Sequence, residues 1–78
     1  MVDSYEMKKI AFKKGYKFVM MKNVSDNPVD EYLKIVMLQD EAKNEYITYL
    51  YNDNDKAFYA GNYFISYEEA YKDFLKRK

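Results

Sequence analysis

The hydrophobic pattern of this chain changes character once, near residue 66. Behind Ser66, the apolar positions Tyr67, Ala70, Tyr71, Phe74 and Leu75 recur at i, i+3, i+4, i+7 and i+8, one stripe of an amphipathic helix. Ser66-Tyr67-Glu68-Glu69 has the spacing of a capping box. Glu68 and Glu69 in the first turn, and Lys76, Arg77 and Lys78 at the end, complement the helix dipole. Ahead of Ser66 the apolar runs are short and rich in aromatic, β-branched and methionine residues. Tyr16 to Met21, Tyr32 to Leu38, Tyr46 to Tyr51 and Lys56 to Ala60 read as strands. Asp40 to Asn44 and Asn52 to Asp55 supply the polar loops of two hairpins.

Residues 4–14 admit two patterns. A helix closed by Gly15 puts Met7, Ile10 and Ala11 on one side but Phe12 on the other. A strand unites Ile10 with Phe12 and makes Lys13-Lys14-Gly15 a hairpin loop, and the strand is preferred. The expected fold is α+β: one domain over residues 1–78, an antiparallel meander of four or five strands packed on one C-terminal amphipathic helix.

One helix covers one face of such a sheet, and the bare face should be polar. It is not. Leu33, Ile35 and Met37 form one apolar set, and the opposite set, Tyr32, Val36 and Leu38, is interrupted only by Lys34. Tyr16, Phe18 and Met20 oppose Val19 and Met21, and Tyr46 and Leu50 oppose Ile47, Tyr49 and Tyr51. Either the sheet curls or the N-terminal segment folds over the second face, or that face is an exposed interface. The candidate interface is Val19, Met21, Tyr32, Val36, Leu38 and Tyr46, facing a host protein or a second copy. A homodimer would also relieve the thin stability margin of a 78-residue chain with no cysteine.

Formal charge is zero, but its distribution is uneven. Residues 1–22 hold six lysines against Asp3 and Glu6, and the rest of the chain carries the compensating acidic excess. Lys8, Lys9, Lys13, Lys14 and Lys17 interleave with Phe12, Tyr16 and Phe18, the ingredients of a stacking platform with a charged rim, and are the candidate nucleic-acid contacts. A helical N-terminus would give the element order of double-stranded-RNA-binding domains. Glu68 and Glu69, however, stand where that family carries phosphate-reading lysines. A protein partner is therefore preferred over nucleic acid.

The absence of histidine and cysteine removes imidazole acid–base chemistry, Ser-His triads, thiol nucleophiles and nearly every zinc site. Asp26, Asp30, Glu31, Asp40 and Glu41 fall in expected loops, where carboxylates are solvated. An EF-hand counted from Asp53 fails, with Phe58 at the glycine position and Phe64 at the final glutamate position. No phosphate-cradling glycine motif occurs. No catalytic, cofactor or metal site is expected, and the chain reads as a non-enzyme. Phe18-Val19-Met20-Met21 is too short for a secretory core or membrane span, so a cytoplasmic location is expected.

The stretch Gly61-Asn62-Tyr63-Phe64, then Tyr67-Glu68-Glu69-Ala70, Asp73-Phe74 and Arg77, resembles the C-terminal end of small uncharacterised accessory proteins of low-GC Gram-positive bacteria and their phages. The resemblance implies a pool that includes anti-CRISPR-like inhibitors, which act by occluding a host protein. The expected function is a non-enzymatic interaction module that inhibits or regulates a larger protein.

Overall fold

A computed structural model describes residues 4–77. The chain runs through helix α1 (Ser4–Lys13), strand β1 (Lys17–Asn23), a 3-10 turn (Pro28–Asp30), β2 (Leu33–Asp40), β3 (Glu45–Asn52), β4 (Ala57–Phe64) and helix α2 (Tyr67–Lys76). The four strands form one antiparallel meander in the order β1-β2-β3-β4. The expected meander and C-terminal helix are present. No helix among the described residues is long and apolar enough to cross a membrane.

The N-terminal segment differs from the preferred strand. It is helix α1, which lays Met7 and Ala11, both fully buried, on the sheet face carrying Val36, Leu38 and Tyr51. Helix α2 covers the other face, where Ala70 and Phe74 pack on Ile35 and Met37. Strand β2 therefore lies between two helices, with Lys34 to Leu38 buried in an unbroken run. A strand at residues 4–14 would have extended the sheet edge and left the second face wet. Burial of that face decides for the helix.

Helix α2 docks through fewer residues than its stripe implies. Ala70 and Phe74 are buried, whereas Tyr67, Tyr71 and Leu75 are exposed. Ser66 occupies the N-cap position with extended backbone, but its side chain makes no capping bond. Lys78 lies outside the described residues. The helix is held instead by a polar clasp on the β3–β4 side. The Asp73 carboxylate accepts from Thr48 Oγ1 at 2.5 Å and Asn62 Nδ2 at 3.2 Å. Arg77 donates to the Thr48 carbonyl at 2.8 Å and to the carbonyl of Ala60.

Ala60 sits in a bulge of β4, in the left-handed region at φ 54°. Its neighbour Gly61 lies under the Tyr49 ring, where a Cβ would collide. Burial disfavours the Asp73 carboxylate, but the Thr48 and Asn62 hydrogen bonds and the Arg77 charge outweigh it. The net effect holds its pKa below the ordinary 3.8.

Two outcomes follow from this packing. Val36→Lys should unfold the domain, because α1 would seal an unpaired charge against the sheet at a cost of several kcal/mol. Circular dichroism checks it, and a folded variant would show that α1 does not cover this face. Asp73 should stabilise the fold above its unfolded pKa near 4, with that contribution lost as pH falls through the lower folded value. Melting temperatures of the parent should thus fall more steeply on acidification below about pH 4 than those of Asp73→Asn.

A basic aromatic surface on the first helix

The side of α1 that faces the sheet determines what the other side carries. With Met7, Ile10 and Ala11 turned inward, steps of 100° per residue place Tyr5, Lys9 and Phe12 outward, with Lys8 and Lys13 on the flanks. Phe12 is 81% exposed and Tyr5 65%. Tyr5, Lys8, Lys9, Phe12 and Lys13 line a shallow cleft of about 380 Å³. The Lys9 ammonium stands 5.2 Å from the centroid of the Tyr5 ring, a cation–π contact.

The end of the helix builds a second cleft beside the first. Gly15, at φ 86°, closes α1 in a Schellman turn, with the Gly15 amide donating to the Phe12 carbonyl and the Tyr16 amide to the Ala11 carbonyl, each at 3.0 Å. The turn folds the chain back so that the first residues of β1 lie alongside the last turn of the helix. Lys8, Phe12, Gly15, Tyr16, Lys17, Phe18 and Glu41 enclose a cleft of about 470 Å³. Lys8 reaches across it, its ammonium 4.8 Å from the Phe18 ring centroid. Tyr16 and Phe18 are half-buried against the α1-side core and so hold the wall rigid.

The candidate nucleic-acid contacts are thus largely gathered. Lys8, Lys9, Lys13 and Lys17 line the two clefts, which share Lys8 and Phe12. Lys14 is exposed in the turn that closes the helix. Tyr5 and Glu41 join this surface without any mark in the sequence pattern. Glu68 and Glu69, which counted against a phosphate-binding role, lie on α2 and hence on the opposite face of the sheet.

The candidate protein interface fares differently, for its residues share no exposed face. Val36 and Leu38 are fully buried, and Met21 packs with them under α1. Val19 and Tyr46 belong to the cluster under α2, and Tyr32 precedes β2 in a turn. The cause is register. A bulge between Phe18 and Met20 puts Val19 and Met21, two residues apart, on opposite faces. Tyr46 pairs with Gln39, which places it on the Ile35–Met37 side rather than with Val36.

No family model, curated protein or solved structure matches this chain. Function has to be read from the surfaces themselves. A further exposed apolar surface lies on α2, where the Tyr67 and Tyr71 rings stack at 5.9 Å and 10°. Tyr46 meets Tyr67 edge-on at 5.5 Å, and Leu75 continues the row.

Because Phe12 contributes little to the core, Phe12→Ala should change stability by no more than about 0.5 kcal/mol. A thermal melt checks this, and a larger loss would mean that the ring supports the fold.

Proposed function

We propose that this chain is a non-enzymatic accessory module that binds nucleic acid through the outward face of α1 and the adjoining start of β1. The supporting observation is the assembly of Lys8, Lys9, Lys13 and Lys17 around the exposed Phe12 ring. Lysine ammoniums attract phosphates without regard to sequence, and an exposed ring offers a stacking surface that tolerates any base. Among the described residues that face carries no arginine, asparagine or glutamine, the planar side chains that read base edges by bidentate hydrogen bonds. Binding therefore rests chiefly on phosphates and base faces.

A second role rests on a separate surface. The row Tyr67, Tyr71 and Leu75, with Ile65 81% exposed just ahead of it, suits a protein partner. An inhibitor or regulator that occludes a host protein in phage or mobile-element biology, of anti-CRISPR-like kind, would use this side of the molecule. It would not use the buried Val36–Leu38 face. The location proposed for either role is the cytoplasm.

Gel-shift titration of single- and double-stranded DNA and RNA at low salt tests the first role. Affinity should fall as salt rises, with a log–log slope of about −3 on single strands and about −3.5 on duplex DNA if the four lysines neutralise phosphates. A Lys8→Glu, Lys9→Glu double variant should lose most of the binding and keep its melting temperature. No binding of any of the four nucleic acids at micromolar protein would remove the proposal and leave the α2 surface as the functional one.

A further inference from the structure

We propose that the cleft between the end of α1 and the start of β1 holds one unstacked base of a single strand, with Phe12 as its stacking platform. This rests on the nucleic-acid role above and names the form of nucleic acid bound. A duplex offers phosphates and groove edges to a protein, but not the faces of its bases. The lining of this cleft is suited to a face. Phe12 is the most exposed aromatic ring on this side of the molecule, and the half-buried Tyr16 and Phe18 rings also line the cleft.

At about 470 Å³ the cleft lies within the range of small-ligand sites, and its size admits a nucleobase with part of its sugar. Lys8 and Lys17 stand in the lining, where they meet the phosphates on either side of an inserted base. Lys9 and Lys13, in the adjoining cleft that shares Phe12, continue the positive track along the helix. Glu41 is the one carboxylate of the lining. It is unsuited to a phosphate and suited to accept from an exocyclic amine on a base edge. Together these groups separate the two parts of a nucleotide, the planar apolar part against rings and the anionic part against ammoniums.

The test compares two strands of equal length and charge, a labelled oligo(dC) and the same strand made abasic, by fluorescence anisotropy on the full chain at low salt. The parent should bind oligo(dC) about 5- to 150-fold more tightly than the abasic strand, the range that stacking of one base supplies. Phe12→Ala should bring the two strands to similar affinity with the salt slope unchanged, and Phe12→Trp should retain the preference. Equal binding of both strands by the parent would overturn the inference while leaving phosphate binding intact. A preference that survives Phe12→Ala, or a duplex bound more tightly than oligo(dC), would also overturn it. Failure of every strand and of the duplex to bind would remove the nucleic-acid role itself.

Discussion

Strand β2 cannot be wetted on either side, and the rest of the architecture answers to that constraint. Ile35 and Met37 project one way and Val36 and Leu38 the other, all at 0–1% exposure. Each such side chain contributes about 1.5–3 kcal/mol when removed from water, so leaving one set bare would forfeit much of a small domain's margin. A four-stranded meander has no strands to spare for a second sheet. The remaining cover is helix, and the chain has two segments able to supply it, one before the sheet and one after. They settle on opposite faces because each face needs one.

Docking α1 in this way commits the whole circumference of the helix. Once Met7, Ile10 and Ala11 face the sheet, Phe12 has no place in the core, and the lysines of the helix are left on its outward and flanking sides. The Schellman turn at Gly15 then fixes where β1 begins and brings Tyr16 to Phe18 against the last helical turn. The basic aromatic surface is thus a consequence of covering β2, with its positions fixed by helix periodicity and by one glycine. The same placement separates charge. The lysines of α1 and the glutamates of α2 stand on opposite sides of a sheet, farther apart than the roughly 8 Å over which salt leaves exposed charges coupled.

The first three strands, both hairpin turns and α2 were legible in the sequence because each is set by local composition and periodicity, whereas the last strand, expected to stop at Ala60, continues past a bulge to Phe64. The N-terminal helix was not, because its deciding interaction is with the distant sheet face of Val36, Leu38 and Tyr51, and Phe12 pulled the local pattern toward a strand. Lys8, Lys9, Lys13 and Lys17 could be read as a group from spacing alone, and they remain a group in space. The apolar set built around Val36 could not be placed. Its membership depended on a bulge after Phe18 and on the pairing of Tyr46 with Gln39, and neither has a local signature. Helix α2 shows the opposite error: five apolar positions suggested five buried ones, yet two suffice because the Asp73–Arg77 clasp fixes the orientation.

Phe12 is a residue whose presence folding does not account for. Single exposed apolar side chains are common on protein surfaces and carry no message alone. This one differs in its company. Any polar helix former would serve the fold equally at that position, and lysine, already abundant around it, would serve solubility better. Instead an aromatic ring stands at the junction of two clefts lined by four lysines, by Tyr5 and Glu41, and by two further rings packed on the core. Charge alone would require none of the rings, and apolar association alone would be weakened by so many ammoniums that must be desolvated. A ligand that is flat and apolar on its faces but anionic along its edge satisfies both halves of the surface at once. Among the common polymers of the cell, a single-stranded nucleic acid has that form.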